Sequence, residues 1–435
     1  MRTSGDSSKL WWVVLLSLMC ASGMWLYMQR VLIAYQIADA QAHSRPRGNL
    51  SDLYPRWLGA RELLLYGRDP YSDDVTREIQ AGYYGRPLDT SNPSDPRDQQ
   101  AFAYPVYVVF YLAPTVRMPF GMVQRVFFWM LVAVTAVSVA LWIRMLRWPL
   151  SHPSQIAVLV LVFGSLAVVQ GLKLQQITLL VAAMMAGAVA LVVADRLVFT
   201  GILLGLATIK PQVVCLLLLW LAIWTLGDWK RRYRWMVSFL ITVAILAGAS
   251  ELVLPHWIPR FWHAMHDYLH YTEGVPLLHK LLPTPWNWIV EIAAGGGAVL
   301  VCWTNRRQTA EARIFAATTC LVLAVTLLLV PSYALYNQVL LVPTILLVAR
   351  ERYPLWQRSA VIRALLGIGV TLLLWHWMAG LVLAVLSFVA RPEWVQRGWA
   401  VPAWATPTLP LAAAALVLSL AYPGSMSASR STIPS

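Results

Sequence analysis

The sequence predicts an all-α polytopic membrane protein. Of its 435 residues, 59% are hydrophobic and only 12% are charged, and a water-soluble fold of this length has too little polar surface to cover so much apolar side chain. Long apolar runs alternate with short basic loops, and the 22 Trp and 17 Tyr fit the interfacial belts of a bilayer. The net charge of +14 lies mainly in those loops, so we expect membrane lipids as partners and no nucleic acid.

The first apolar run covers residues 11–34 and follows Arg2 and Lys9. Its start resembles a secretory or lipoprotein signal, but the residue before Cys20 is a methionine and not a small residue. The run also continues to Met28 and beyond, which is longer than a signal core. We therefore expect an uncleaved first span with a cytoplasmic N-terminus.

A polar segment at residues 37–100 interrupts the apolar pattern. From His43 to Asp98 it carries eight arginines, nine carboxylates and no lysine, so it is almost neutral. This balance is typical of a translocated loop, because positive charge is depleted outside the membrane. A long insert with carboxylates and arginines is also where a membrane protein most often carries its chemistry.

Ten further apolar stretches predict the remaining spans. The basic loops all stay cytoplasmic only if the stretch 102–143 makes one net crossing and the stretch 198–224 breaks at Lys210-Pro211. Proline inside a helix removes a hydrogen bond and clashes with the preceding turn, so a break there is expected. The prediction is about twelve transmembrane helices with both termini cytoplasmic. The stretches lie at residues 102–143, 153–170, 177–194, 198–224, 236–254, 286–303, 314–331, 338–349, 361–390 and 405–422.

Residues 1–423 then form a single integral-membrane domain. Residues 37–100 are its large first extracytoplasmic loop, residues 255–285 are the second, and residues 424–435 are a Ser-rich, disordered cytoplasmic tail. This topology brings polar residues from distant parts of the chain to one extracytoplasmic cavity. They are Asp52, Gln175, Gln176, Lys210, Tyr336 and Asn337.

We expect no metal site and no disulfide framework. The four cysteines lie in apolar spans and lack metal-ligand spacing. His263, His266 and His270 fall on one helical face beside Asp267, an arrangement that also occurs in metal sites. The same stretch is rich in Trp, Tyr and Phe, which is more typical of an interfacial helix.

Five short motifs occur in a characteristic order. They are Asp52-Leu53-Tyr54, Leu63 through Tyr71, Phe102-Ala103-Tyr104-Pro105, Gly201 through Lys210-Pro211, and Tyr336-Asn337-Gln338 leading to Pro343. In this order they resemble the GT-C superfamily of membrane glycosyltransferases, specifically glycosyltransferase family 87. Characterised members of that family transfer mannose from a polyprenyl phosphate, and the similarity covers residues 10 to 350.

The resemblance implies a GT-C-like fold and an inverting transfer of a hexose, with mannose as the expected sugar. The donor would be a polyprenyl-phosphate sugar and the acceptor a lipid or glycan of the cell envelope, at the outer face of the cell membrane. Asp52 occupies the place of the family's general base. No cofactor is expected, because the sugar arrives already activated on a phosphate.

Six further residues are candidates for binding the donor phosphate or the substrates. Cationic and hydrogen-bonding groups are required around the departing phosphate. Relatives often carry a histidine in the segment that is 331–337 here, and this chain has none there. The candidates are Arg56, Arg61, Lys210, Gln175, Tyr336 and Asn337.

Each of these assignments has a structural alternative. Asp52 is also placed to pair with Arg56 or to cap a helix, and Lys210 to reach the lipid head groups from a helix end. At the level of function, the alternative is a transporter or flippase of a lipid-linked or small polar substrate, which predicts internal repeats and paired broken helices. A non-catalytic subunit of an envelope assembly is a third interpretation.

Overall fold

The computed structural model describes residues 4–46, 48, 51–89, 91–272, 274–331 and 334–422, with side chains from residue 11 onward. Within these ranges the regular structure is entirely helical, with twenty-one α-helices and no β-strand. The all-α prediction is therefore confirmed. The tail predicted at 424–435 lies outside the described residues.

The α-helices are numbered in chain order, and four short non-α segments separate some of them. The α-helices are α1 (Ser4–Tyr27), α2 (Ile33–Ala42), α3 (Leu53–Tyr66), α4 (Asp73–Tyr84), α5 (Val108–Leu112), α6 (Phe120–Met145), α7 (His152–Phe163), α8 (Leu166–Lys173), α9 (Ile177–Val193), α10 (Leu197–Ala207), α11 (Pro211–Leu226), α12 (Trp229–Val253), α13 (Trp257–Tyr271), α14 (Leu277–Leu281), α15 (Trp286–Asn305), α16 (Arg313–Leu329), α17 (Val342–Arg350), α18 (Arg352–Trp356), α19 (Ala360–Val389), α20 (Pro392–Gln396) and α21 (Leu409–Ala421). The others are a π-helical turn at Met28–Leu32 and 3-10 segments at Ala113–Thr115, Leu335–Leu341 and Val401–Ala403.

Five helical segments of the described chain are long and apolar enough to cross a bilayer. A sixth span results if α7 and α8, which meet at an angle of 58°, form one broken crossing. Six shorter apolar helices of 10–17 residues remain. The polytopic class is thus confirmed, whereas a total of twelve crossings stays a prediction. The five segments are Trp11–Ala42, Phe120–Met145, Trp229–Val253, Trp286–Asn305 and Ala360–Val389.

The two irregular apolar stretches break at prolines. The stretch 102–143 contains a single long helix, α6, which begins directly after Pro119. The stretch 198–224 divides as predicted: α10 ends at Ala207 and α11 begins at Pro211, where the missing N–H removes no helical bond. Lys210 therefore lies in a turn between two helices.

Glycine allows α10 to approach α12 closely. A Cβ at Gly201 would lie 2.1 Å from the carbonyl oxygen of Trp235 and 2.0 Å from Oγ of Ser238. No side chain fits at that distance, so the backbones of α10 and α12 can touch only because this residue is glycine. This contact fixes α10, and with it the position of the Lys210 turn.

Basic loops from different parts of the chain meet at one end of the helices. Arg147, just after α6, pairs with Glu311 at 3.4 Å. Arg232, in α12, donates to the carbonyl oxygens of Trp224 at 2.6 Å and Arg306 at 2.8 Å. The C-terminal ends of α6, α11 and α15 and the N-terminal end of α12 therefore lie together.

The opposite end of α6 carries the polar loop. The 26 residues of α6 extend over about 39 Å, so its first residue, Phe120, lies far from the basic loops. The Phe120 ring packs against Tyr54 of α3 at 4.9 Å and against Trp57 at 5.2 Å. The helix that begins after Asp52 therefore lies at the end opposite to the basic loops.

The loop forms a compact helical layer on this end. Gly67 adopts a left-handed conformation, with φ +66°, and ends α3. Arg68 then pairs with Glu62 of α3 at 2.8 Å and with Glu78 of α4 at 2.7 Å. Asp69 pairs with Arg260 of α13 at 2.6 Å, which ties the first loop to the second.

Candidate active site

Asp52 is fixed at the start of α3 by contacts with another part of the chain. Its backbone N–H donates to the carbonyl oxygen of Leu174 at 3.1 Å, and its carboxylate accepts a hydrogen bond from Nε2 of Gln176. Its side chain makes no capping bond to α3, and the described residues contain no ion pair between it and Arg56. Neither structural alternative for Asp52 is therefore present.

The surroundings of Asp52 make it a stronger base than an ordinary aspartate. Burial raises the pKa of its carboxyl to about 6, and the charge of Asp98 acts in the same direction. Arg56, Lys210 and the hydrogen bond from Gln176 lower that pKa and limit the rise. At neutral pH the carboxylate is ionised and yet has a higher proton affinity than usual.

Lys210 is buried, with 6% of its surface exposed, and is held by neutral groups. Its ammonium group donates to Oγ1 of Thr178 and, at 3.3 Å, to Oδ1 of Asn337. It also lies 4.9 Å from the ring centre of Tyr336. Lys210 therefore does not reach toward lipid head groups. Burial and the nearby charge of Arg56 lower the pKa of its ammonium group to about 7, so a bound anion would favour the charged form.

Arg56 supplies a second cation one helical turn after Asp52. Its guanidinium lies 4.2 Å from the ring centre of Tyr104, and its Nε atom is buried without a hydrogen-bond partner. Among the described residues, neither Arg56 nor Lys210 has a carboxylate within 4.0 Å. A partly buried arginine and a buried lysine, neither with an ionic partner, form a favourable environment for an anion.

Two of the predicted site residues, Arg61 and Gln175, contact groups other than Asp52. Arg61 lies further along α3, with its guanidinium 5.6 Å from the ring centre of Trp57. Gln175 adopts a left-handed conformation, with φ 47°, and its Nε2 donates to the carbonyl oxygens of Leu172 and Lys173. The neighbouring Gln176, and not Gln175, is the residue that contacts Asp52.

A cavity of about 920 Å³ opens beside Asp52. Its lining includes Asp98, near the end of the first loop, and the two tyrosines that end α4, Tyr83 and Tyr84. Gln175 also lines it, with a buried Oε1 atom that has no hydrogen-bond partner. The carboxylate of Asp52 thus borders both the cationic pair and a polar cavity.

Several residues of the site carry no local sequence signal. Asp98 is one of nine carboxylates in its loop, and Thr178 lies in an apolar helix that reads as an ordinary span. Tyr104 belongs to the motif Phe102-Ala103-Tyr104-Pro105, but the motif does not predict its contact with Arg56. A polar residue inside an apolar span is the one available signal, and it applies to Thr178.

The histidine face of α13 takes no part in these contacts. His263, His266 and His270 are exposed, whereas Tyr268 is partly buried and interacts electrostatically with Arg56. In the part of the chain that the structure describes, no group of three His, Cys, Asp or Glu side chains is placed to hold a metal ion.

A family model described as "Glycosyltransferase family 87" matches residues 102–331, which is just over half of the chain. The matched range includes Thr178 and Lys210; Asp52 and Arg56 precede it, and Tyr336 and Asn337 follow it. No curated protein and no solved structure matches the chain.

Proposed function

The chain belongs to glycosyltransferase family 87, and from this premise we propose that it is an inverting hexosyltransferase with a polyprenyl-phosphate donor. Its membership indicates a membrane glycosyltransferase, which requires a sugar donor and an acceptor. We propose mannose as the sugar and a lipid or glycan as the acceptor. Membership also favours a transferase over the transporter or flippase that composition leaves open.

The observation that carries the proposal is the partly buried carboxylate of Asp52 beside two basic side chains that lack ionic partners, the partly buried Arg56 and the buried Lys210. As the bond between the sugar and the phosphate breaks, negative charge grows on the phosphate oxygens. Arg56 and Lys210 are placed to stabilise that charge, because no protein carboxylate within 4.0 Å neutralises them in the described residues. Thr178 and Asn337 hold the ammonium group of Lys210 in position.

Asp52 then acts as the general base. It accepts the proton of an acceptor hydroxyl while the hydroxyl oxygen forms a bond to the anomeric carbon. The bond from that carbon to the phosphate oxygen breaks on the opposite face, and its electron pair stays on the polyprenyl phosphate. A single displacement of this kind inverts the anomeric configuration, and a pKa of about 6 suits Asp52 for taking the proton near neutral pH.

The charge distribution supports an active site on the outer face of the cell membrane. The loops that contain Arg147, Arg232 and Arg306 meet at one end of the helices. Asp52 lies at the other end, beyond the length of α6. Because positively charged loops remain in the cytoplasm, the end with Asp52 is expected to face outward.

The proposal is tested with the purified full chain in detergent. It is incubated with radiolabelled polyprenyl-phosphate mannose and a membrane lipid extract, and the label is followed by chromatography. We expect the label to move to an acceptor with inverted configuration, and the transfer to continue in EDTA because Arg56 and Lys210 supply the positive charge. Label that stays on the donor would contradict the proposal, and activity lost in EDTA and restored by a divalent ion would contradict the cationic role.

A further inference from the structure

The cavity beside Asp52 is separate from the cationic pair. Asp52 lines the cavity, whereas Arg56 and Lys210 do not. Its volume of about 920 Å³ lies within the roughly 300–1,000 Å³ of pockets that hold drug-sized ligands. A molecule in this cavity therefore reaches the base without occupying the place of the donor phosphate.

The cavity contains hydrogen-bond acceptors that the protein does not satisfy. Oγ of Ser51, Oε1 of Gln170 and Oε1 of Gln175 are buried side-chain atoms of lining residues, and none has a partner among the described residues. The amide orientation of Gln175 is fixed, because its Nε2 already donates to two backbone carbonyl oxygens. Buried polar atoms are rarely left unpaired, so a ligand rich in O–H donors fits this lining.

Asp98 adds a second carboxylate to the same lining. Its oxygens accept hydrogen bonds from the backbone N–H of Gln100 at 3.0 Å and from Nε2 of Gln100 at 2.8 Å. Its carbonyl oxygen accepts from the hydroxyl of Tyr84 at 2.8 Å, which fixes this segment to α4. A carboxylate offers about four acceptor positions, so roughly two remain for a ligand.

The basic residues that line the cavity are exposed. The side chains of Arg45, Arg125 and Lys173 are all exposed, and Arg45 pairs with Asp39 at 3.6 Å. Among the described lining residues there is no buried cation. The deep part of the cavity therefore suits a neutral, hydroxyl-bearing group better than a phosphate.

We propose that this cavity is the acceptor site, that it binds a glycosyl head group, and that Asp98 determines acceptor specificity. The inference rests on the proposed function. Asp52 takes the proton of the attacking hydroxyl, as described above. Asp98 takes no proton: it accepts a hydrogen bond from a second hydroxyl of the same sugar and thereby sets which hydroxyl reaches Asp52.

The experiment uses the purified full chain, radiolabelled polyprenyl-phosphate mannose and soluble acceptors. The acceptors are octyl α-mannoside, octyl β-glucoside and octyl β-galactoside. For the best acceptor of the three, the four deoxy analogues that each lack one of its free hydroxyls are also tested. Asp98→Asn is compared with wild type and with Asp74→Asn, which removes an exposed carboxylate of the same loop. Kinetic constants for donor and acceptor are measured separately, and the linkage of the product is determined.

Among the deoxy acceptors that the wild type still glycosylates, we expect one to have a kcat/KM at least tenfold below that of the acceptor with all its hydroxyls. Asp98→Asn should raise the acceptor KM about tenfold and leave the donor KM unchanged. The variant should use the complete acceptor and this deoxy acceptor equally well, because the mutation and the missing hydroxyl remove the same hydrogen bond. The variant should also give a mixture of linkages. A merely structural role of Asp98 would not change the linkage.

The outcomes separate this inference from the proposed function. If the wild type transfers the label to the membrane lipid extract but to no octyl glycoside, the proposal that the cavity binds a glycosyl head group is wrong, whereas the proposed transferase activity is unaffected. Asp98→Asn with wild-type acceptor constants and linkage, or with a raised donor KM alone, would overturn the acceptor role of Asp98. Donor label that moves to neither kind of acceptor would overturn both proposals.

Discussion

The side-chain amide of Gln176 donates a hydrogen bond to the carboxylate of Asp52, across 124 positions of sequence. The backbone bond from Asp52 to Leu174 lies beside it, so the start of α3 is tied twice to the turn between α8 and α9. The direction in which the carboxylate points is thus set by that turn. This relationship makes Gln176 a residue that positions the base.

Gln176→Leu should weaken the base without removing it. The hydrogen bond stabilises the ionised form of Asp52, so its loss should raise the pKa of Asp52 above about 6. A hydrogen bond to a charged group contributes about 1.5–3 kcal/mol, so the acid limb of the kcat–pH profile should move up by roughly one to two pH units. Gln155→Leu, at an exposed position on α7, serves as the control. An unchanged acid limb would assign Gln176 a purely structural role.

Asp52→Asn should abolish most transfer while donor binding stays nearly intact. Asparagine has a similar shape and can keep the contact with Gln176, but it cannot take a proton. A positioned general base contributes roughly a hundredfold to ten-thousandfold, and kcat should fall by that factor. Labelled-donor binding and kcat are measured for this variant and for Asp74→Asn, the exposed carboxylate of the same loop. Transfer at close to the wild-type rate would contradict the base assignment.

The pH dependence of the wild type should report Asp52. Because burial raises its pKa to about 6, the carboxylate is available above that pH and is lost as the pH falls through it. We expect kcat/KM to fall about tenfold per pH unit below pH 6. It should fall again above about pH 7, because burial lowers the pKa of Lys210 to about 7 and its positive charge is lost as the pH rises through that value. A profile that stays flat to pH 4.5 would be incompatible with a base of this pKa. The charged and titratable groups that face Asp52 are Arg56, Asp98, Lys210, Tyr83, Tyr84, Tyr268 and Tyr336.

Lys210→Met should slow the chemical step. Methionine is apolar, of similar length and tolerated in packed interiors, so the main change is the loss of a positive charge near the departing phosphate. Removal of one such preorganised group costs about 10²- to 10³-fold in kcat. Single-turnover rates separate this effect from donor binding, and Lys230→Met, at an exposed position of α12, controls for the loss of a lysine. A kcat within twofold of wild type would leave Lys210 with a structural role only.

Accessibility should differ between the two ends of the molecule. Ser94→Cys lies in the first loop and Thr309→Cys between α15 and α16, and both positions are exposed. With Cys20 and Cys215 replaced by alanine, an impermeant thiol reagent added to intact cells should label the cysteine at 94 and not the one at 309, because the basic loops stay inside. Labelling after cell lysis provides the control for reactivity. The reverse labelling pattern would contradict an active site on the outer face of the membrane.

The sequence alone determined the class of the protein and the outline of its helices. The content of hydrophobic residues, 59%, and the spacing of the basic loops are properties of the linear chain. They require the apolar helices to lie in a membrane, however those helices pack together. The break before Pro211 was also predictable, because proline acts on its own turn. The count of twelve crossings was not settled in this way, since several apolar helices are only 10–17 residues long.

Only the tertiary structure decided which polar residues meet. From the sequence, Arg56 and Arg61 were equivalent candidates, and so were the neighbours Gln175 and Gln176. The structure brings Arg56 and Gln176 to Asp52. The left-handed backbone at Gln175 turns its side chain back to local carbonyl oxygens and leaves the next residue to reach the carboxylate. Such convergence depends on how α3, α9, α11 and the segment Leu335–Leu341 pack together, and contacts between residues more than a hundred positions apart leave no trace in local pattern or periodicity.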